Sequence, residues 1–220
     1  CDWSSDVCSS DLLSACNYGV VARVALADVS GHGAEVRGIA ENLRRLMRAY
    51  VNFWDQTEFV QRLNDAFPAD AAGMQYASAV ILGFYRATGE LLFTNAGHLP
   101  PLWYRADRRE WSFLKEDSPA VKDTVEGLPL GMIPGTNYQQ TAVQLMPGDL
   151  LVLYTDGVSE SFNSAGQELG IEGLLQLAKH VPVSSPAAAG CALLAAVDEF
   201  RGGEPRRDDA TLVVLQRQAH

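Results

Sequence analysis

Cysteine, positive charge and long apolar runs are all scarce in this chain, and each scarcity removes a class of function. Four cysteines (Cys1, Cys8, Cys16, Cys191) stand among 220 residues, with no C-x-x-C spacing and no dense pattern. That excludes a zinc knuckle and a disulfide-stapled secreted scaffold. Lys and Arg number 17 against 27 Asp and Glu, a net charge of −10. Such an acidic chain argues against nucleic acid or an anionic membrane surface as its partner and suits cations better. No apolar run approaches the roughly 18 residues that span a bilayer, and no charged, apolar, small-residue signal pattern opens the chain. The expected address is cytoplasmic.

What is present is a chain with 47% hydrophobic content, enough for one substantial core and read here as one domain. Three Asp-bearing segments stand out. Asp28-Val29-Ser30-Gly31-His32-Gly33 and Tyr154-Thr155-Asp156-Gly157-Val158 each follow an apolar β-type run, and Arg207-Asp208-Asp209-Ala210-Thr211 precedes one. Each carboxylate is therefore expected at a strand end beside glycine or polar residues. Carboxylates gathered by a sheet repel one another unless a cation compensates them, and Mg²⁺ and Mn²⁺ take oxygen ligands. The pattern reads as a hard-metal enzyme site.

The chain opens on Cys1, and residues 2–12 resemble the translation of a sequencing adaptor. Residues 1–12 are accordingly read as a non-native leader and 13–220 as the functional domain without its native N-terminal segment. From Tyr18 to Val29 a Val- and Ala-rich run predicts a buried strand, and a helix is expected from Ala34. On that helix Ile39, Leu43, Leu46, Met47, Tyr50 and Val51 recur at helical spacing. Its Arg44, Arg45 and Arg48 read as a solvated face, with contact to a phosphorylated partner as the alternative.

A second helix is expected over residues 57–67, with Phe59, Val60, Leu63 and Phe67 on its apolar stripe. Hairpins are expected at 75–95, around Thr88-Gly89, and at 102–114. Pro119, Pro129, Pro134, Gly127, Gly131 and Gly135 mark residues 116–137 as a loop, either the border of a substrate groove or an ordinary connection. A strand over 150–155 delivers Asp156, helices follow at 171–180 and 186–200, and a last strand covers 211–216. This order suits an α+β fold in which helices cover a β-sheet core.

ALADVSGHG, NAGHLPP, LVLYTDGVSES and RRDDATLVVL, in this order and at these separations, resemble the SpoIIE/RsbU-type branch of the PPM (PP2C-like) metal-dependent serine/threonine phosphatases. The resemblance runs from about Leu13 to Leu215 and implies an αββα sandwich with two Mn²⁺ or Mg²⁺ ions. It also implies a role for each matching residue. Asp28 would bridge the metals, the Val29 carbonyl would add an oxygen, and Asp156 and Asp208 would complete the set of one ion. Asp209 is an alternative or supporting ligand, with Asp208 favoured because it comes first in the family's acidic pair.

The implied reaction is attack of a metal-activated water on a phosphoserine or phosphothreonine of a bacterial regulatory protein such as an anti-sigma-factor antagonist. Asp28, Asp156 and Asp208 are thus the catalytic candidates. Gly31 and Gly33 would let backbone approach the metals. Animal-type relatives carry a proton-donating His two residues after the bridging Asp; that position is Ser30 here, and His32 lies four after, so His32 reads as a loop residue with a general acid as the alternative, and Ser30, Gly31 and His32 are site-shaping or substrate-touching candidates. Asn95 and His98 are site-shaping or substrate-touching candidates, His98 standing where other branches carry an acid.

The family's upstream Gly-Gly-Asp is not matched here, and the nearest substitute is Asp11. Two other readings remain: a noncatalytic protein-binding signalling module with an incomplete metal site, and a purely structural domain. No Cys-x5-Arg pattern surrounds Cys191, which removes cysteine-phosphatase chemistry.

Overall fold

The computed structural model describes residues 9–16, 20–30, 34–53, 55–67, 75–114 and 127–218. They form two compact units, each a helix-bearing antiparallel sheet.

The first unit contains strands β1 (Ser9–Cys16), β2 (Val21–Val29), β3 (Ala77–Tyr85), β4 (Glu90–Ala96) and β7 (Thr141–Gln144) with helices α1 (Ala34–Tyr50) and α2 (Gln56–Ala66). Its sheet runs β1-β2-β3-β4-β7, every pairing antiparallel. Side chains alternate across a strand, and Ala25, Ala27 and Val29 of β2 join Ala77, Ala79 and Ile81 of β3 in a core with Ala40, Leu43, Met47, Phe59, Val60 and Leu63. On the opposite parity Val24, Leu26, Val80 and Leu82 are buried as well. Asp28 and Ser78 belong to that second face.

The helices form for local reasons that the core then confirms. The Asp55 side chain caps α2 by accepting from the Thr57 and Glu58 N–H groups at 2.8 and 3.4 Å, satisfying donors that have no intrahelical partner. Of the three arginines expected on a solvated face of α1, Arg45 and Arg48 are exposed and Arg44 is half-buried. Arg23 sits on the helix-packed parity of β2 yet is only 2% exposed. Its guanidinium donates to the Val51 and Phe53 carbonyls at 2.6 and 3.1 Å and lies 4.7 Å above the Phe59 ring, tying the α1–α2 connection to the sheet.

The second unit contains β5 (Leu102–Arg105), β6 (Glu110–Phe113), β8 (Leu150–Tyr154), β9 (Leu212–Gln216), α3 (Asp156–Ser159), α4 (Gly170–Ala178) and α5 (Pro186–Arg201). The sheet order is β6-β5-β8-β9, again antiparallel. β8 is wholly buried, and Leu150, Val152 and Tyr154 pack with Leu174, Ala178, Ala189, Leu193 and Val197 of α4 and α5. α5 starts with Ser185 accepting from Ala188 N–H at 3.1 Å and with Pro186 in its first turn, and ends at Gly202 in the left-handed conformation, φ 61°.

The expected elements over 18–29, 34–51, 57–67, 75–95, 102–114, 150–155, 171–180, 186–200 and 211–216 all occur, with ends shifted by a few residues. Three elements are additional, β1, the four-residue β7 and the single turn α3. Of the expected leader, residues 1–8 lie outside the described set and residues 9–12 belong to β1. There Ser9 stands opposite Asp28 and Asp11 opposite Leu26. Among the described residues no helix is long and apolar enough to cross a membrane.

Candidate functional site

In the first unit Asp28 and Val29 close β2, and Ser30 begins the segment that follows. Ser30 donates its N–H to the Tyr76 carbonyl at 2.9 Å, and its Oγ accepts from Tyr76 N–H at 3.1 Å. These reciprocal bonds fix the chain as it leaves Asp28. Gly31 and His32, together with Gly33, lie outside the described residues. Ser78 of β3 is the cross-strand partner of Asp28.

β4 delivers Asn95 to the same region. The Asn95 amide spans the turn: its Oδ1 accepts from His98 N–H at 2.7 Å and its Nδ2 donates to the His98 carbonyl at 2.9 Å. Gly97 between them has φ 70°, and a Cβ there would stand 2.7 Å from the Gly127 carbonyl oxygen and 2.8 Å from Pro129. Only glycine meets both demands. The result is a buried His98 whose Nδ1 lies 2.8 Å from Ser78 Oγ.

In the second unit β8 runs into Thr155, and Asp156 opens α3. Thr155 locks the acidic loop before β9 against this corner. Its N–H donates to the Thr211 carbonyl at 3.1 Å, its Oγ1 accepts from Thr211 N–H at 2.8 Å, and the same hydroxyl donates to the Asp209 carbonyl at 3.1 Å. A Cβ on Gly157 would lie 2.4 Å from that carbonyl oxygen. The missing side chain is therefore what admits the Asp208–Asp209 backbone. Farther out, the Arg207 guanidinium stacks 4.1 Å over Phe162, and Arg206 bonds to Asp198 at 3.1 Å.

The corner is crowded with negative charge. The carboxyl of Glu160, one helical turn beyond Asp156, is raised above its ordinary value by desolvation first and then by the charges of Asp156, Glu168 and Asp208. Asp208 contributes to that field, and its Oδ1 also accepts from Asp209 N–H at 2.8 Å. Oxygen-only donors, an admitted backbone and several carboxylates close enough to raise Glu160 after its desolvation fit a hard divalent cation rather than a soft one. Asp28 with the Val29 carbonyl offers the same donor chemistry in the first unit. Among the described residues no set of three or more His, Cys, Asp or Glu forms a ready cluster for a metal ion.

Sequence reasoning singled out Asp28, Val29, Ser30, Asn95, His98, Asp156, Asp208 and Asp209. The structure groups Ser30, Asn95 and His98 with the Asp28 strand end, and Asp209 and Asp208 with Asp156. It adds Ser78, Thr155, Glu160 and Glu168. Glu160 had a signal, standing four residues after Asp156 inside a motif already recognised. Ser78 had none, because its place opposite Asp28 depends on strand register.

The two helix-bearing antiparallel sheets constitute the PP2C-like fold. The chain superposes on the SiaA-PP2C domain of Pseudomonas aeruginosa with a TM-score of 0.78 at 18% identity, covering 95% of this chain and 80% of that one. Against the RsbU and RsbW domains of Rv1364c from Mycobacterium tuberculosis the TM-score is 0.77 at 24% identity, over 98% and 58% of the two chains. Within that fold, the chain belongs to the SpoIIE family: the family described as Stage II sporulation protein E (SpoIIE) matches residues 21–218. It is also 27% identical over 148 residues to the phosphoserine phosphatase RsbP of Bacillus subtilis (strain 168). That match takes in 65% of this chain and 33% of RsbP, so the chain spans a third of this relative's length.

Proposed function

We propose that the chain is a metal-dependent protein serine/threonine phosphatase, acting in the cytoplasm on a phosphoserine or phosphothreonine of a bacterial regulatory protein such as an anti-sigma-factor antagonist. Membership of the SpoIIE family supports this reading, and the name of RsbP agrees with it. The observation that carries it is the acidic corner at Asp156, where Thr155 and Gly157 hold the Asp208 loop and where desolvation first, then the neighbouring carboxylates, raise Glu160.

In this reading Asp28, the Val29 carbonyl, Asp156 and Asp208 hold two Mn²⁺ or Mg²⁺ ions, with Asp209 as a supporting or alternative ligand. When bound, the ions supply a water of lowered pKa and positive charge opposite the phosphate oxygens. The chain's own residues set the geometry. Thr155 fixes the backbone on either side of Asp156 and Asp209, and Ser30 fixes the exit from Asp28. His98 and Asn95 shape the Asp28 side. No side-chain nucleophile is required, consistent with the lack of a Cys-x5-Arg pattern.

The test is phosphate release from a phosphoserine peptide by the full chain, with and without Mn²⁺. Release that requires Mn²⁺, stops with chelator and resumes on adding the ion back supports the proposal. Stable binding of a phosphoprotein without release at any Mn²⁺ concentration contradicts it and favours the noncatalytic signalling module.

A further inference from the structure

Ser78 and His98 carry an inference that rests on the metal-site reading of Asp28 and deepens it. Residues directly opposed in an antiparallel pair place their Cβ atoms about 4.5–5.5 Å apart on one face of the sheet. Asp28 and Ser78 are such a pair. Both are half-buried, on the face opposite the helix-packed core. A serine there is poorly explained by packing, since the next positions along that face, Leu26 and Val80, are buried and apolar.

The Ser78 hydroxyl is not left to rotate. His98 Nδ1 stands 2.8 Å away, and the imidazole has little freedom of its own. It is 8% exposed, both its backbone polar groups are held by the Asn95 amide, and Gly97, bridged to Ala79, fixes the turn that carries it. That amounts to four residues, His98, Asn95, Gly97 and Ala79, arranged around one hydroxyl beside one carboxylate.

We infer that Ser78 and His98 are positioning residues for Asp28. His98 Nδ1–H donates to Ser78 Oγ, which aims the Ser78 O–H at the Asp28 carboxylate and selects the rotamer in which Asp28 receives a divalent ion. The tautomer follows from roles: a carboxylate only accepts, so the serine proton is spent on Asp28 and the imidazole must supply its own. Carboxylate ligands are commonly oriented in this way, and loss of such a partner weakens metal affinity about 10–100-fold.

The experiment is isothermal titration of the full chain with Mn²⁺ alone, paired with thermal unfolding of the metal-free proteins. Ser78→Ala is expected to weaken Mn²⁺ binding about 10-fold or more while the metal-free melting temperature stays close to wild type. Ser78→Thr, which keeps the hydroxyl, restores most of the affinity. His98→Asn, whose amide nitrogen stands in for Nδ1, retains more affinity than His98→Ala. A purely structural role would instead move the melting temperature and leave affinity unrelated to hydroxyl or donor content.

Wild-type affinity in Ser78→Ala overturns the inference. Asp28→Asn separates it from the reading beneath it. If Asp28→Asn weakens binding and Ser78→Ala does not, positioning alone fails. If Asp28→Asn has no effect, or the wild-type chain takes up no Mn²⁺, the metal assignment of Asp28 fails and positioning falls with it.

Discussion

Replacing Gly157 with alanine probes the acidic corner with a single methyl group. The added Cβ would stand 2.4 Å from the Asp209 carbonyl oxygen and 2.8 Å from its carbon, both backbone atoms that no rotamer change can move aside. Ordinary contact begins near 3.4 Å, so the Asp208–Asp209 segment must retreat by about 1 Å, because a close-packed interior has no slack to absorb the methyl. The retreat stretches the 3.1 Å bond from Thr155 Oγ1 to the Asp209 carbonyl. Over-packing of this kind costs about 1–3 kcal/mol of stability.

The larger consequence is chemical. Displacing a reacting constellation by about 1 Å lowers the rate about 100-fold, so the variant should remain folded while its Mn²⁺-dependent hydrolysis of p-nitrophenyl phosphate falls by about two orders of magnitude. Urea unfolding followed by far-UV circular dichroism measures the stability change, and steady-state hydrolysis measures the rate. Activity within two-fold of wild type together with an unchanged urea midpoint would refute the reasoning, because the methyl would then have been accommodated without moving Asp208.

Other outcomes follow from buried polar groups. Asn64, 3% exposed, accepts from Gly131 N–H and Tyr138 O–H and donates to the Ile133 carbonyl; Asn64→Ala should cost about 2–4 kcal/mol in urea unfolding, since each abandoned partner is left desolvated. The Asp149 carboxylate accepts from Trp103 Nε1–H, Ala106 N–H and Met146 N–H at 3.2, 2.8 and 2.9 Å, so Asp149→Asn turns one acceptor toward a donor and should lower the urea midpoint more than any exposed Asp→Asn change. Burial first, then the charge of Asp65, pushes the Tyr138 hydroxyl up to about 12. The folded state then binds that proton more tightly than the unfolded state, and stability present below pH 10 is lost as pH rises toward about 12. Tyr138→Phe should flatten that part of the pH–stability curve.

Legibility in the sequence tracked how local each cause was. α1, α2 and α5 carry their own periodicity, caps or terminal glycine, and β8 is an unbroken apolar run, so all four could be read from neighbouring residues. β7 could not, because Thr141-Ala142-Val143-Gln144 is too short to announce a strand and becomes one by pairing with β4. α3 is a single turn containing Gly157, a poor helix former. The placement of Asp28 at the end of β2 and of Asp156 just after β8 was legible because an apolar run leads into each. The Gly157 contact with Asp209 and the Ser78–His98 pair join residues far apart in the chain, and only strand register and loop closure create them.

The central proposal is that Asp28 and Asp156 are each metal ligands of a phosphatase. Mn²⁺ stoichiometry and phosphate release from a phosphoserine peptide, measured on the same samples of wild type, Asp28→Asn and Asp156→Asn, test it most directly. The account predicts that each variant loses bound Mn²⁺ and turnover together while its unfolding remains cooperative. Full turnover in either variant would contradict it.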